Sequence, residues 1–199
     1  METSLEITIE QLRKIDIADA CRKSGADMAE DPKGDKVITL PYLGDEYLIS
    51  FPGSEITLGG AKITDAGITI TLLHYLITSK GTPLSGRLID FRQIPDGNFY
   101  YPAFETIVHK PFIKAFGAEP GKFISNGISA GGLDAGLKDL SLKFIALPRV
   151  PVTTVIYKGD GEFPPDCKFL FDSSIKDYLS TEAVMKVCER LVKKLGGSG

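Results

Sequence analysis

The sequence predicts an α+β fold: a mixed, largely antiparallel sheet covered by helices, in a single domain. Candidate strands are grouped towards both ends of the 199-residue chain, and candidate helices do not alternate strictly with them. Hydrophobic residues make up 43% of the chain, which is enough for one sizeable core. A doubly wound parallel sheet would require the regular alternation that is missing here.

The strands are predicted from short runs rich in β-branched and large apolar residues. Gly44-Asp45 separates two such runs and suits a tight hairpin turn. The two runs on either side of Pro148-Arg149 are the most apolar and should form the spine of the sheet. The predicted strands are 37–43, 46–51, 55–58, 87–91, 140–147, 150–157 and 168–171.

The helices are predicted from apolar stripes with the helical period and from capping residues. Thr8 with Gln11 fits a capping box, Asp65 can cap a central apolar helix, and Ser180 or Thr181 begins the last one. Pro111 should kink or divide the helix that follows the aromatic stretch, because proline lacks the N–H donor. The predicted helices span 8–25, 66–79, the segment from the end of the aromatic stretch 99–104 to Gly117, 121–127 and 181–195.

The charge pattern argues against nucleic acid as a partner. The net charge is −3, and no basic stripe is present that could neutralise phosphates. No apolar run reaches the roughly 20 residues of a membrane span, and the acidic N-terminus lacks the basic start of a signal peptide. We therefore expect a cytoplasmic protein that neither binds nucleic acid nor enters a membrane.

The cysteines and the C-terminus carry no evident chemistry. Cys21, Cys167 and Cys188 are widely separated and form no Cys-x-x-Cys pair, so buried free thiols are expected. The terminal Gly-Gly-Ser-Gly indicates a flexible linker or an expression remnant. Residues 1–195 are thus predicted to form the domain and residues 196–199 to lie outside it.

Established catalytic signatures are absent from the sequence: it has no Walker A loop, no Gly-x-Ser-x-Gly elbow, no dinucleotide fingerprint and no His-Glu-x-x-His. Only two histidines exist. His74 lies in the most apolar helix, where it is either a hydrogen-bonded core residue or an axial ligand or base. His109 precedes Lys110-Pro111 at a helix break and is predicted to be solvated.

Two segments contain candidate binding residues. Asp160, Glu162 and Asp166 resemble a cation-binding loop in composition but lack EF-hand spacing, so a rigid acidic turn is the alternative to a metal site. Arg87 should lie on the opposite side of its strand from Asp90 and Arg92, with Tyr100 and Tyr101 returning nearby after a turn. Such arginines either bind a carboxylate or phosphate or anchor a buried carboxylate.

Several motifs occur together in an order that resembles a known family. They are LLHYL (72–76), GTPLSGR (81–87), FRQIPDGNFYYPAF (91–104), LPRVP (147–151), GEFPPD (161–166) and FD (171–172). The chain resembles the bacterial and archaeal domain of unknown function 3786, whose relatives have no established activity to transfer. Some relatives add a cysteine-rich four-iron–four-sulfur module of the type found in corrinoid proteins of anaerobes. The resemblance implies an anaerobic cytosol and a role near corrinoid, methyl-transfer or redox-cofactor metabolism, although this chain lacks the cluster module.

Three functions are compatible with the sequence. The first is a non-catalytic accessory module that binds a small cofactor, tetrapyrrole-like or corrinoid-related, or a partner protein. The second is a small enzyme acting on an anionic metabolite, with Arg92 or Arg149 holding the anion and Glu162 or His74 as acid–base group. The third is a structural subunit whose surplus apolar surface faces another chain. Ligand identity and oligomeric state do not follow from the sequence.

Overall fold

In the computed structural model, the first helical region is divided into two helices, whereas the sequence predicted one. The structure describes residues 4–32, 34–137, 140–160 and 162–196. Two helices, α1 (Ser4–Lys14) and α2 (Ile17–Ser24), replace the single predicted one. The Asp16 carboxylate accepts hydrogen bonds from two backbone N–H groups and so begins α2. Thr8 lies inside α1, where its hydroxyl donates to the Ser4 carbonyl, so the predicted capping box is wrong.

The first sheet is an antiparallel meander of consecutive strands. Its strands are β1 (Asp27–Glu30), β2 (Lys36–Tyr42), β3 (Asp45–Phe51), β4 (Ile56–Leu58) and β5 (Ala61–Lys62). The predicted hairpin is present between β2 and β3, with Tyr42 paired to Asp45. Its turn consists of Leu43 and Gly44, both with positive φ, as a tight hairpin of this kind requires.

Helix α3 (Ala66–Thr78) follows the first sheet and has the predicted N-cap. The Asp65 carboxylate accepts the Ile68 N–H at 3.0 Å. Leu72 and Tyr75 are fully buried, and the helix packs against α1 and α2. This helix is therefore part of the core, as its apolar composition predicts.

The second sheet is assembled from distant segments, in the order β6-β10-β9-β8-β7, and all neighbours are antiparallel. The prediction of β8 and β9 is confirmed at both ends, and β9 is the central strand. The strands are β6 (Leu88–Asp90), β7 (Leu133–Asp134), β8 (Leu140–Leu147), β9 (Val150–Tyr157) and β10 (Asp166–Asp172).

Helices cover one face of the second sheet. A nearly continuous helical stretch runs through α4 (Gly97–Phe104), a π-helical turn (Glu105–His109) and α5 (Lys110–Phe116). Helix α6 (Pro120–Ser129) and the last helix, α7 (Thr181–Lys194), complete the layer, and Ser180 caps α7 as predicted. Short 3₁₀ helices occur at Phe91–Gln93 and Ser173–Asp177.

One hydrophobic core joins the two sheets and the helices. A backbone hydrogen bond of 2.8 Å from Leu43 N–H to the Ala146 carbonyl connects the first hairpin to β8. The α+β class with largely antiparallel strands is thus confirmed, and the strands divide between two sheets. Residues 1–3 and 197–199, which include most of the predicted linker, lie outside the described residues.

Candidate functional site

The candidate site lies where the second sheet is incomplete. Strand β6 pairs only with Leu170–Asp172 of β10, because the chain then turns into the 3₁₀ helix Phe91–Gln93. A reciprocal capping box fixes this turn: the Asp90 carboxylate accepts the Arg92 and Gln93 N–H groups, and the Gln93 side chain accepts the Asp90 N–H. The first half of β10 is left beside an open cleft.

This cleft has a volume of about 220 Å³ and is called the Arg92 cleft below. Its rim comes from the segment after β6, its floor from aromatic side chains of the core, and its far wall from β10. The lining residues are Asp90, Phe91, Arg92, Tyr101, Phe104, His109, Asp166, Cys167, Lys168 and Phe169.

Arg92 is held by an aromatic ring. Its Cζ lies 3.7 Å from the centroid of the Tyr101 ring, over the ring face, which is a cation–π contact. Tyr101 in turn stacks on Phe104, which stacks on Phe91. Among the described residues, no acidic side chain pairs with the guanidinium, so its N–H donors remain available to a ligand.

A glycine permits the close packing that brings these rings together. A Cβ atom at Gly97 would lie 2.0 Å from the Phe91 carbonyl oxygen, far inside van der Waals contact. Helix α4 can therefore begin directly against the 3₁₀ helix only because residue 97 has no side chain. The start of α4, the helix that carries Tyr101, thus lies directly against the 3₁₀ helix that carries Arg92.

His109 and Asp166 form a pair on the opposite side of the cleft. His109 ends the π-helical turn, and its Nε2 lies 2.7 Å from Asp166 Oδ1. The same carboxylate oxygen accepts the Cys167 N–H at 2.8 Å, which fixes its position. The His109 side chain is 22% exposed, so it is only partly solvated and is held by Asp166, whereas the sequence suggested a freely solvated residue. A neutral imidazole in this pair donates from Nε2 and leaves Nδ1 as an acceptor.

The remaining polar residues of the cleft differ in reactivity. Lys168 is exposed, its Nζ lies 5.6 Å from the Tyr157 ring centroid, and no described acidic residue pairs with it. Burial strongly raises the pKa of the Cys167 thiol, which keeps it protonated and makes it a poor nucleophile. Two unpaired cations and one oriented histidine therefore define the chemistry that the cleft offers.

The structure brings together three of the residues singled out by sequence: Arg92, Tyr101 and Asp166. Arg87 lines a second cleft with Ile89 and Gln93, on the opposite side of the strand from Asp90 and Arg92, as alternation predicted. His109 and Lys168 were missed as site residues. Their sequence positions give no signal, because each reaches the cleft through long-range packing.

Three other candidates lie outside the Arg92 cleft. His74 is half-buried, and its Nε2 lies 3.1 Å from the Thr8 hydroxyl of α1, which fits the hydrogen-bonded core alternative. Arg149 is in the β8–β9 turn, where its N–H donates to the Tyr75 hydroxyl. Tyr100 packs edge-on against Phe99. Neither Arg149 nor His74 lines a cavity with Arg92, so the residue combination proposed for an enzyme does not form there.

The acidic loop that contains Asp160, Glu162 and Asp166 has the hydrogen bonds of a turn rather than the arrangement of a cation site. Asp160 Oδ1 accepts the Phe163 and Glu162 N–H groups, and these hydrogen bonds lower the pKa of Asp160. Glu162 is exposed, and Asp166 is engaged with His109. Within the described ranges, no group of three or more acidic, histidine or cysteine side chains is arranged to hold a metal ion.

A groove of about 750 Å³ lies at one end of the second sheet and is larger than the Arg92 cleft. Its walls are mainly apolar, with Ile128 of α6 and Leu137 partly exposed at its edge. Its described lining contains no histidine, cysteine or methionine that could ligate a metal of a macrocycle.

Comparisons with known proteins complete the description. None of the described helices has the length and apolar character of a membrane span. Searches of curated proteins and of solved structures gave no match. The family model of a domain of unknown function, DUF3786, matches residues 16–194, which is most of the chain. The protein therefore belongs to the DUF3786 family.

Proposed function

We propose that this protein is a binding module for a small organic anion, which it holds in the Arg92 cleft. The observation behind the proposal is the arginine fixed on the Tyr101 ring with its donors unpaired at the mouth of a cleft. A guanidinium that is already held in place loses little conformational entropy when it binds a carboxylate or phosphate. Lys168 of the facing strand also lines the cleft, and its Nζ, 5.6 Å from the Tyr157 ring centroid on the outward face of the sheet, adds a more distant positive charge.

The acidic residues of the cleft oppose an anion only weakly, because both are already hydrogen-bonded. Asp90 accepts two backbone N–H groups of the 3₁₀ helix, and Asp166 accepts from His109 and Cys167. Their charge is thus partly compensated within the protein. Arg92 and Lys168 have no such compensation among the described residues.

The size of the cleft supports a small ligand better than a tetrapyrrole. Sites for drug-sized ligands usually have volumes of about 300–1,000 Å³, and the Arg92 cleft has about 220 Å³. A macrocycle would need the larger groove, whose described walls contain no histidine, cysteine or methionine and offer only Tyr157 among the usual axial ligands. A dicarboxylate or a single phosphate group matches the available volume and charge.

The proposal is tested by titrating the protein with malonate and, separately, with inorganic phosphate, followed by ¹H–¹⁵N NMR. We expect saturable shifts of the Arg92, Gln93 and Lys168 amide signals. Arg92→Gln should weaken binding by about tenfold or more, since a charged hydrogen-bonded pair is worth roughly 1.5–3 kcal/mol. Lys168→Gln should weaken it less.

Lys143→Gln is the matched control. Lys143 is an exposed lysine on the same outward face of the second sheet as Lys168, two strands away, and lines none of the cavities discussed. This variant should bind both probes like the wild type. Binding that survives Arg92→Gln unchanged, or shifts that never saturate, would refute the proposal.

The His109–Asp166 pair supports a second candidate, an enzyme that moves a proton on the bound anion. An imidazole oriented by a carboxylate is a common general base, and its free Nδ1 would accept the proton. If so, the protein should speed the exchange of malonate methylene protons for deuterium in D₂O. His109→Gln should abolish this exchange while malonate still binds, and a wild-type rate equal to that of buffer alone would exclude the candidate.

A further inference from the structure

A second cleft lies on the other side of segment 87–93 and is called the Arg87 cleft. It has a volume of about 380 Å³, and its polar lining comes from Thr82, Ser85, Arg87, Gln93, Ser173, Ser174, Lys176 and Asp177. Pro83, Ile89 and Pro95 add an apolar wall. No residue on this list lines the Arg92 cleft.

The walls of the Arg87 cleft are held rigidly by a buried carboxylate. Asp172 accepts the N–H groups of Ser85, Gly86 and Ser174 at 3.0, 2.7 and 2.9 Å. On the other side, the Tyr178 hydroxyl donates to the Thr82 carbonyl. The loop and the 3₁₀ helix that form the cleft are therefore fixed before any ligand binds.

The hydrogen-bond network determines what the hydroxyl groups offer to a ligand. Ser85 Oγ donates its single proton to Asp172 Oδ1, so the Ser173 hydroxyl, 2.8 Å from Ser85 Oγ, must be the donor in their contact. Ser173 Oγ then has only lone pairs left for a ligand. The Thr82 hydroxyl likewise donates to Asp177 Oδ2 and presents an acceptor. Both hydroxyls select a ligand that donates hydrogen bonds.

The charges of the cleft favour an anionic group in the same ligand. Arg87 and Lys176 are exposed, and neither is paired with an acidic side chain among the described residues. Asp177 also lines the cleft, but its carboxylate already binds Lys80 and Thr82, and Asp172 is surrounded by N–H donors. The cations can thus bind an oxyanion, while Ser173 and Thr82 accept from hydroxyl groups.

From this juxtaposition we infer that the Arg87 cleft binds a hydroxylated phosphate ester of sugar-phosphate size. Arg87 and Lys176 bind the phosphate, and Ser173 and Thr82 accept hydrogen bonds from hydroxyl groups of the polyol. The inference rests on different residues from the proposed function and requires a ligand with both features. Inorganic phosphate and a free sugar should each satisfy only half of the site.

The test uses three probes with the full chain: ribose 5-phosphate, inorganic phosphate and ribose. Affinity is measured by calorimetry, and the position is read from the Ser85, Gly86 and Arg87 amide signals in NMR spectra. Ribose 5-phosphate should bind roughly 25-fold more tightly than phosphate at this site, because the two added hydrogen bonds contribute about a factor of five each. Ribose alone should give no measurable binding.

Two variants separate the halves of the ligand. Arg87→Gln should weaken ribose 5-phosphate binding by about tenfold or more. Ser173→Ala should weaken ribose 5-phosphate binding by about fivefold, because one of the two added hydrogen bonds is lost, while leaving phosphate binding at this site unchanged. Melting temperatures verify that both variants fold. Equal affinity for ribose 5-phosphate and phosphate in the wild type would overturn the inference.

Two further arginine variants are controls. Arg22→Gln removes an exposed guanidinium of α2 that lines none of the cavities discussed and should have no effect. Arg92→Gln should reduce malonate binding without altering the ribose 5-phosphate signals at Ser85 and Gly86. The two proposals can thus be refuted separately. If malonate does not bind at the Arg92 cleft but ribose 5-phosphate binds at the Arg87 cleft, this inference still stands. If Arg87→Gln leaves ribose 5-phosphate binding unchanged, the inference is wrong.

Discussion

The two sheets of this protein are built in different ways, and only the second forms the candidate sites. The first sheet is a meander of strands that follow one another between Asp27 and Lys62. The second takes its edge strand β6 from the middle of the chain and its neighbour β10 from nearly 80 residues later. Because β6 has only three residues, it covers half of β10 and leaves the Arg92 cleft at the open half.

This difference shows how function can arise from an incomplete strand pairing. In the first sheet, most strands pair with the strand next to them in sequence, and the core-facing side chains are buried. In the second sheet, segment 87–93 ends the pairing early and directs Arg87 and Arg92 to opposite sides. A short edge strand therefore yields two clefts from one stretch of chain.

The largest expected effect tests whether the two sheets form one cooperative unit. Phe112 is fully buried and packs against Phe116, Phe123 and Phe169 under the second sheet. Phe112→Ala should lower the free energy of unfolding by about 3–5 kcal/mol through the cavity that it leaves. Urea unfolding followed by circular dichroism and by tyrosine fluorescence should show the same shifted midpoint.

Phe99→Ala is the control for this prediction, because Phe99 is 80% exposed and its loss should change stability by less than about 0.5 kcal/mol. If the tyrosine signal, which includes Tyr42 and Tyr47 of the first sheet, keeps the wild-type midpoint in Phe112→Ala, the sheets unfold independently. The two sheets would then be two separate folding units.

A smaller effect concerns the carboxylate that anchors the loop beside β6. Burial alone would raise the pKa of Asp172, but hydrogen bonds from the Ser174 and Ser85 N–H groups outweigh it and lower this pKa to about 2. The unfolded value is about 3.9. The ionised form therefore stabilises the fold by roughly 2 kcal/mol above about pH 4, and this contribution is lost as the pH falls through about 2.

Asp172→Asn should accordingly lower the free energy of unfolding by about 2 kcal/mol at pH 7 and by much less near pH 2. Urea unfolding of both proteins at pH 7, 4 and 2.5 measures the difference. A difference that stays constant across these pH values would mean that ionisation of Asp172 does not stabilise the loop. No equivalent buried carboxylate is present in the first sheet among the described residues, so its strands should lack this acid sensitivity.

The smallest effect concerns a link between the N-terminal helices and the second sheet. The buried Tyr75 hydroxyl donates to the Ser24 carbonyl at 2.6 Å and accepts the Arg149 N–H at 3.0 Å. Tyr75→Phe should cost about 1–2 kcal/mol, because both backbone groups lose their partner. Tyr157→Phe is the matched control, since the Tyr157 hydroxyl has no described partner, and thermal unfolding should be unchanged in it. Equal melting temperatures for both variants would show that the link is not stabilising.

Local signals were sufficient to predict much of the fold. The strands β8 and β9 begin and end at the predicted residues, because continuous apolar runs with β-branched residues mark buried strands. Asp65 and Ser180 cap their helices as expected. Strand β1 was missed because its four residues are all exposed and show no apolar alternation. The chain stays helical on both sides of Pro111, but its geometry changes directly before the proline: the π-helical turn Glu105–His109 separates α4 from α5, and such a wider turn accommodates a residue that lacks the N–H donor.

The candidate site was only partly predictable from the sequence. Arg87, Arg92 and Tyr101 lie within 15 residues, so strand alternation and one turn were enough to relate them. The pairing of His109 with Asp166 spans 57 residues and depends on how α5 and β10 pack, which no local pattern encodes. Lys168 was missed for the same reason, since it looks like any exposed strand lysine.

The π-helical turn lets the helix before His109 carry one residue more than α-helical geometry would hold over the same rise. Because the wider turn absorbs the extra residue, α4 and α5 keep the relative orientation that one continuous α-helix would give them. Deletion of Thr106 would therefore let Glu105–His109 relax to α-helical geometry with His109 still beside Asp166. The chain can lose one codon at this turn without separating the two halves of the Arg92 cleft.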